Sequence, residues 1–241
     1  MAEYETSKLL SDLEALGISI DDEKLSQLMK YYEMLIETNK VMNLTAITEF
    51  DDVMKKHFVD SLSIVKTDVF KEEASLIDIG TGAGFPGLVL KIVFPALKVT
   101  LLDSLNKRIN FLNSVIEELN LKNIEAIHGR AEELAKNSKY REQYDLCVSR
   151  AVANMSTLSE YCLPFVSIGG YFIPYKSEKI SEELNAAKKA LLLLGGSLKE
   201  QVEFMLPASD IYRNLVVVKK EKPSPKKFPR KAGMPAKEPL C

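Results

Sequence analysis

The sequence predicts an α/β fold with a seven-stranded, mostly parallel sheet, a terminal antiparallel hairpin and an N-terminal helical cap. Three observations support this prediction. Residues 7–65 show only the 3.6-residue apolar spacing of amphipathic helices. Over residues 75–194, short apolar runs alternate with helical stretches, which is the pattern of a parallel sheet. The last two strand-like runs, 197–206 and 213–220, have no helical pattern between them and therefore predict a hairpin.

We expect three amphipathic helices in the cap, residues 1–70. The first is predicted at about 7–16. The second begins at residue 21 or 22 with an apolar stripe from Leu25 to Ile36, and the third begins at residue 51 or 52 with a stripe from Met54 to Val65. Three consecutive helices do not fit a repeat of strands and helices. We therefore expect the cap to pack as a separate layer on the main domain.

His57 and Asp60 lie on the third predicted helix, about one turn apart. This spacing makes Asp60 a candidate hydrogen-bond partner of His57. A histidine on the apolar face of a helix is more often a hydrogen-bonded core residue than a catalyst. Both interpretations of His57 stay open from the sequence.

The main domain, residues 71–220, is predicted to alternate strands with helices before the hairpin. Its predicted strands are 75–79, 98–103, 123–128, 144–149, 170–175, 197–206 and 213–220. Its predicted helices are 86–94, 106–120, 131–137, 155–163 and 178–194. The first of these helices should stop at Pro95 and the last at a pair of glycines.

A glycine-rich loop connects the first predicted strand to its helix. Gly80, Gly82, Gly84 and Gly87 follow the strand, and Pro86 suits the first position of the helix. Glycines allow the backbone to turn sharply and to approach a ligand closely. Free N–H groups at the helix start would face that ligand.

Two cofactors fit this loop. The spacing Gly82-x-Gly84-x-x-Gly87 matches the fingerprint of nicotinamide dinucleotide binding, and Asp103 at the end of the next strand could hold ribose hydroxyls. The spacing Asp78-x-Gly80-x-Gly82-x-Gly84 is typical of S-adenosylmethionine-dependent methyltransferases, which also use such an acid. We favour S-adenosylmethionine because of Asp78, and because some 75 residues precede the loop, whereas a dinucleotide fingerprint usually lies near the start of its domain.

Composition and cysteine usage indicate an ordinary globular protein of a reducing compartment. Hydrophobic residues make up 46% of the 241 residues, charged residues 27%, and the net charge is −2. Cys147, Cys162 and Cys241 are widely spaced, which argues against disulfides and a zinc site. We see no signal peptide and no apolar run that could span a membrane. We therefore expect a cytoplasmic monomer without a metal.

The tail, residues 221–241, differs in composition from the rest of the chain. From Lys219 onward there are eight lysines and arginines, two glutamates and five prolines. A basic arm on an acidic body is expected to contact phosphates, and prolines keep such an arm extended. The candidate RNA-binding residues are Lys226, Lys227, Arg230 and Lys231. Phe228 among these charges favours a docked segment.

Several motifs together resemble one family, the bacterial small-subunit ribosomal RNA methyltransferase G family. They are Asn43-Leu44-Thr45, His57-Phe58-Val59-Asp60-Ser61-Leu62, the segment from Asp78 to Gly87, Asp103-Ser104-Leu105-Asn106-Lys107-Arg108, Ser149-Arg150-Ala151-Val152-Ala153 and Pro229-Arg230-Lys231-Ala232-Gly233. The resemblance implies a Rossmann-like class I methyltransferase fold. It also implies methylation of N7 of a guanine in 16S ribosomal RNA, as free RNA or in a small-subunit particle.

The resemblance also implies a set of cofactor-binding residues. They are Gly80, Phe85, Ala131, Glu132 and Arg150. Physically, the glycine would let the loop approach the methionine part, and Phe85 would supply an apolar wall. Ala131 and Glu132 follow the third strand, where the adenine edge should lie. Arg150 could pair with the carboxylate of the methyl donor or with an RNA phosphate.

The expected chemistry needs few catalytic groups. N7 of guanine has an in-plane lone pair, so it requires no base, nucleophile or metal, and positioning and electrostatics would supply the rate. Arg150, Asp60 and His57 are the candidates for a direct role. Phe85, His57, Asp60 and Lys176 are the candidates to hold the guanine. Two other classes remain open from the sequence, a nicotinamide-dependent oxidoreductase and a non-enzymatic RNA-binding module.

Overall fold

A computed structural model describes residues 4–150, 152–178 and 180–240. Its α-helices are α1 Ser7–Ala15, α2 Asp22–Met42, α3 Phe50–Val53, α4 Asp60–Leu62, α5 Gly87–Val93, α6 Asn106–Glu118, α7 Ala131–Leu134, α8 Met155–Cys162, α9 Ser181–Leu193 and α10 Met234–Lys237. Its strands are β1 Ser75–Ile79, β2 Lys98–Asp103, β3 Ile124–His128, β4 Tyr144–Arg150, β5 Val166–Lys176, β6 Gly196–Met205 and β7 Tyr212–Lys220.

The seven strands form one sheet in the order β3-β2-β1-β4-β5-β7-β6. The first five strands pair in parallel, whereas β7 runs antiparallel to both β5 and β6. This arrangement confirms the predicted mostly parallel sheet with a terminal antiparallel hairpin. The carboxyl ends of β1 to β4 therefore meet at one edge, where open α/β sheets bind their ligands.

The clearest local differences from the prediction concern β5, α5 and the third cap helix. Strand β5 begins at Val166 rather than at residue 170, and its register with β4 shifts near its start, around Gly169 and Gly170. Glycine is rare inside strands, so this start was hidden in the sequence. Pro86 is the N-cap of α5, which begins at Gly87. The third cap helix is irregular, because a π-helical turn, Met54–Val59, separates α3 from α4.

The cap helix α2 packs on α5 and α6 through its apolar face. Tyr31 of α2 is fully buried, stacks on Phe58 with ring centroids 5.5 Å apart, and donates its hydroxyl to the Ala83 carbonyl at 2.5 Å. Ala83 belongs to the glycine-rich loop, so the cap fixes that loop from below. Burial raises the pKa of the Tyr31 hydroxyl well above its usual value, which keeps it a hydrogen-bond donor.

The remaining predictions concern the tail, the cysteines, membrane-spanning helices and metal sites. Residues 221–240 pack back onto the body, with Phe228 only 5% exposed. Cys147 and Cys162 are buried free thiols, and Cys241 lies outside the described residues. Within the described ranges, no helix is long and apolar enough to cross a membrane, and no group of His, Cys, Asp and Glu could hold a metal ion. The division into cap, main domain and tail stays a prediction.

Candidate functional site

The glycine-rich loop adopts the backbone that its sequence indicates. Gly80, Gly82 and Gly84 have φ angles of 71°, 63° and 110°, which side chains disfavour. The N–H of Gly80 bonds to the carbonyl of Leu102 at 2.8 Å, and the N–H of Gly82 to Asp103 Oδ2 at 2.9 Å. The loop is thus tied to the end of β2, beside the acid that was predicted to hold ribose hydroxyls.

Asp78 lies beneath the loop and lines neither of the two cavities at the carboxyl edge of the sheet. It is fully buried, and its Oδ2 accepts hydrogen bonds from Thr81 Oγ1 at 2.7 Å and from the Gly87 N–H at 2.9 Å. Its Oδ1 finds no partner among the described residues. Burial raises the pKa of this carboxyl to about 6. Asp78 thus braces the two ends of the loop, and its predicted role in cofactor binding stays a prediction.

A first cavity of about 330 Å³ opens at the carboxyl ends of β1, β2 and β3. Its lining residues are Ile79, Gly80, Leu102, Asp103, Ser104, Arg108, Gly129, Arg130, Ala131, Glu132, Val152 and Tyr161. Four predicted cofactor-binding residues, Gly80, Asp103, Ala131 and Glu132, therefore meet here. Arg108 Nη1 lies 3.1 Å from Asp103 Oδ2. Arg108 belongs to one of the motifs that carry the family resemblance, but its role could not be predicted from the sequence.

The other two loop glycines face different surroundings. A Cβ on Gly82 would meet nothing within 4 Å, so this position is open. A Cβ on Gly84 would lie 2.8 Å from the Tyr31 hydroxyl, so the loop approaches the cap closely at this position. A Cβ on Gly80 would lie 2.7 Å from Val152 Cγ2, which places the segment after β4 directly against the loop.

A second cavity of about 360 Å³ lies on the other side of that segment. Its lining residues are Ile47, Lys56, His57, Asp60, Arg150, Ala153, Leu158, Tyr175, Lys176, Ser177, Glu178 and Arg213. Val152 lines the first cavity and Ala153 the second, so the segment that follows β4 contacts both cavities. Ala151 lies outside the described residues.

Asp60 is the centre of an ion network in the second cavity. Its Oδ2 accepts from Arg150 Nη1 at 2.8 Å, and its Oδ1 accepts from Arg213 Nε at 2.7 Å. Asp60 is 2% exposed, and a buried carboxylate is tolerated when such partners satisfy it. Asp60 therefore does not pair with His57, contrary to the prediction from their spacing. Arg213, on β7, was missed because nothing in the sequence relates it to Asp60.

His57 is held in one tautomer by two other partners. Arg150 Nη2 lies 3.3 Å from Nδ1, and because a guanidinium only donates, Nδ1 must accept. Nε2 then carries the proton and donates to Thr45 Oγ1 at 2.8 Å. Burial, and after it the charge of Arg150, lowers the pKa of His57 to about 3. The imidazole is therefore neutral near pH 7.

Phe85 lies between the loop and this network rather than in the first cavity. The His57 ring stacks on it at 4.3 Å, and the Arg150 guanidinium lies 5.1 Å from its centroid. Only 6% of Phe85 is exposed, and its ring packs against His57 and Arg150. This differs from the predicted roles as an apolar wall for the cofactor and as a stacking surface for guanine.

The predicted RNA-binding residues fall into two groups. Lys176 lines the second cavity but pairs with Glu183 at 2.7 Å, and Arg230 pairs with the buried Glu160, also at 2.7 Å. Three further lysines of the tail, Lys226, Lys227 and Lys231, are exposed. The RNA-binding role of the exposed group stays a prediction, whereas Arg230 is engaged inside the protein.

Comparison with protein families gives one clear match. The family model described as rRNA small subunit methyltransferase G matches residues 24–212. A protein named ribosomal RNA small subunit methyltransferase G from Lachnoclostridium phytofermentans is 54% identical over 236 residues and covers 98% of each chain. A protein of the same name from Alkaliphilus metalliredigens is 52% identical over 237 residues, covering 98% of this chain and 99% of the relative.

Solved structures resemble the fold at low sequence identity. A SAM-dependent methyltransferase from Aquifex aeolicus aligns with a TM-score of 0.53 at 19% identity, over 73% of this chain and 96% of that one. The M. jannaschii protein TYW2 in complex with AdoMet aligns with a TM-score of 0.53 at 13% identity, over 72% of this chain and 77% of that one. At these identities the likeness concerns the fold alone.

Proposed function

The chain belongs to the rRNA small subunit methyltransferase G family, and from this membership we propose that it transfers a methyl group from S-adenosylmethionine to N7 of a guanine in 16S ribosomal RNA. One structural observation supports the proposal most directly. Two cavities open at the carboxyl edge of the sheet, and Val152 and Ala153, which follow β4, line one cavity each. This arrangement suits a donor and an acceptor that must meet at one point.

The first cavity fits the methyl donor. The open space at Gly82 leaves the loop backbone accessible, and Asp103 provides a carboxylate at the end of β2 for ribose hydroxyls. Ala131 and Glu132 lie where the adenine would reach the end of β3. The cofactor supplies a methyl group on a sulfonium centre, which is an electrophile that needs no activation by an acid. The protein's part is therefore to hold the donor in one orientation.

The second cavity suits the guanine. Methylation at N7 does not require a proton to be removed from the base. N7 attacks with its own lone pair, so a base is unnecessary, and both nitrogens of His57 are already engaged in hydrogen bonds. We assign His57 and Asp60 the task of orienting Arg150. Asp60 is already shared between two guanidinium groups, so it has little charge left to stabilise a cationic 7-methylguanine.

The geometry of RNA restricts which guanines can be substrates. N7 lies on the major-groove edge, and in A-form RNA this groove is too deep and narrow for side chains. The target guanine must therefore be unpaired or drawn out of its stack, at a cost of a few kcal/mol. The exposed lysines of the tail would contact phosphates near it. Because ribosomal RNA is the proposed substrate, we also propose that the protein acts in the cytoplasm. We further propose that it acts as a monomer.

The alternatives from the sequence lose their support. A nicotinamide-dependent oxidoreductase would continue the alternation of strands and helices, whereas this sheet ends in an antiparallel hairpin. The family and its named relatives are methyltransferases, which also argues against a purely RNA-binding module.

The test is the position of the methyl group. Purified protein is incubated with S-adenosylmethionine and either free 16S RNA or small-subunit particles from cells that lack the gene. Borohydride and aniline cleave RNA at 7-methylguanosine, and primer extension then locates the break. We expect a single site in a non-helical region, absent when the donor is omitted. A methyl group on an exocyclic amine, a ribose or a cytosine carbon would contradict the proposed mechanism.

A further inference from the structure

The C-terminal segment, residues 221–240, is fixed to the body at several points along its length. Arg141, in the connection between α7 and β4, donates to the carbonyls of Ser224 at 2.7 Å and Phe228 at 2.9 Å. The backbone N–H of Ser224 donates to Glu142 Oε1 at 2.6 Å. Phe228 is buried in the apolar core on the side of the sheet that carries α8 and α9. These contacts make the first half of the segment part of the folded body.

The next anchor is an ion pair with a fully buried partner. Glu160 of α8 is 0% exposed and accepts from the backbone N–H of Arg230 at 2.7 Å and from Nη2 of its guanidinium, also at 2.7 Å. A buried carboxylate is costly unless it is paired, so this anchor holds Arg230 in one place. The guanidinium makes two parallel contacts, from Nε to Oε1 at 3.0 Å and from Nη2 to Oε2 at 2.7 Å, and these give the pairing a fixed direction.

The segment then reaches the wall of the first cavity. Three residues after Arg230, the N–H of Gly233 donates to Glu132 Oε1 at 2.8 Å. Gly233 has a φ of 83°, a backbone conformation that glycine adopts without strain. Glu132 is 4% exposed and lines the cavity next to Ala131. One hydrogen bond thus links the C-terminal segment to a residue expected to read the adenine of the cofactor.

We propose that the C-terminal segment positions Glu132 for recognition of adenine, with Arg230 as a positioning residue that acts through Gly233. This inference rests on the proposed function. With Oε1 bound to Gly233, the carboxylate keeps one orientation, and Oε2 retains lone pairs for the exocyclic amino group of adenine. Hypoxanthine carries an oxygen at that position, so a fixed carboxylate would reject it.

The experiment compares two ligands that differ only at this group. Calorimetry gives the affinities for S-adenosylhomocysteine and S-inosylhomocysteine, and their ratio is the adenine preference. In wild type we expect a preference of about tenfold or more. Arg230→Gln should lower the preference at least threefold, mainly by weakening the adenine ligand. Lys222→Gln, at an exposed position of the same segment, is the control and should leave the preference unchanged.

Two further variants test whether the effect passes through Glu132. Glu132→Gln should remove most of the preference, and adding Arg230→Gln to it should then change the preference no further. Gly233→Ala strains the backbone at a φ of 83° where nothing would meet the Cβ, so it should also lower the preference if Arg230→Gln fails to fold. Gly169→Ala, at a φ of 87° with the same open surroundings and away from the first cavity, is its matched control.

The outcomes separate this inference from the proposed function. If wild type binds neither S-adenosylmethionine nor S-adenosylhomocysteine, the proposed function itself is wrong. If wild type binds them but Arg230→Gln and Gly233→Ala keep the full preference, or weaken both ligands in equal proportion, the C-terminal segment does not position Glu132 and only this inference fails.

Discussion

The two cavities at the sheet edge are built in different ways. The first is made by turns and strand ends, mostly between Ile79 and Glu132, and its loop depends on glycine backbone with positive φ. The second is made by side chains from four separate parts of the chain, joined by the network of Arg150, Asp60 and Arg213. A local motif can therefore predict the backbone that lines the first cavity. The ion pairs that line the second cavity join residues far apart in the sequence, so no local motif predicts them.

The largest expected effect comes from breaking the network of the second cavity. Arg150→Ala removes the group that contacts Asp60, His57 and Phe85 together. We expect kcat for methyl transfer to fall by about a hundredfold, as for loss of a preorganised electrostatic donor, with donor affinity changed less than threefold. Single-turnover methylation and calorimetry measure the two quantities.

Arg108→Ala provides the matched change in the first cavity. Arg108 contacts Asp103 at 3.1 Å, so its loss should weaken donor binding more than it slows transfer at saturating donor. If Arg150→Ala instead weakened donor binding and left kcat intact, the division of roles between the cavities would be wrong.

The pH dependence of stability should have opposite signs in the two regions. The lowered pKa of His57 means that the unfolded chain binds more protons than the folded one between about pH 3 and 6.5, so stability rises with pH through this window. The raised pKa of Asp78 has the reverse effect between about pH 4 and 6.

Variants with neutral replacements isolate these contributions. From about pH 5 to pH 7, the His57 contribution should rise by about 2 kcal/mol and the Asp78 contribution should fall by about 1 kcal/mol. Urea unfolding at each pH gives the difference between wild type and His57→Gln or Asp78→Asn. The same sign of slope for both differences would show that one of the two environments is described wrongly.

A smaller effect is expected from obstructing the backbone of the first cavity. Gly82→Val puts a branched side chain where the loop should approach the donor, and we expect donor affinity to fall at least tenfold, about 1.4 kcal/mol. Gly17→Val is the matched control, because Gly17 has a φ of 75°, equally open surroundings and a place at the end of α1. Equal donor affinity in wild type and Gly82→Val, measured by calorimetry, would remove this loop from the donor site.

The smallest effect should come from the exposed tail, outside both cavities. Changing Lys226, Lys227 and Lys231 to Ala should weaken RNA binding and reduce its salt slope by about 0.7 for each lost phosphate contact with single-stranded RNA. Donor affinity should not change. The control changes Lys98, Lys188 and Lys189, which are also exposed, to Ala. If the tail variant kept the salt slope of wild type, the tail would have a purely structural role.

The same contrast explains which features could be predicted from the sequence. The succession of strands and helices along the chain and the terminal hairpin were predictable, because hydrophobic periodicity and glycine turns are local signals. Gly80, Asp103, Ala131 and Glu132 were brought together as expected, since parallel strands end at one edge. Asp78 was predicted as a ligand because the motif contains it, but a motif does not show which side of the loop a carboxylate occupies.

The second region was predicted only in part. His57, Asp60, Arg150 and Lys176 do line one cavity, but their pairing was not readable from spacing. Asp60 is one turn from His57, yet it bonds to Arg213, 153 residues away. Tyr31 was not singled out from the sequence, because its hydroxyl contact with Ala83 depends on how the cap docks. Such contacts carry no periodic signal.

The position of Gly233 in the chain also bears on how the protein is made. Residues 221–240 leave the ribosome after all seven strands, and domains can fold while synthesis continues. The nascent chain could therefore complete its sheet while Glu132 still lacked the N–H that holds it. On the proposed role of Gly233, the first cavity reaches its final selectivity only when residues 221–240 have docked onto the body, after the seven strands have been synthesised.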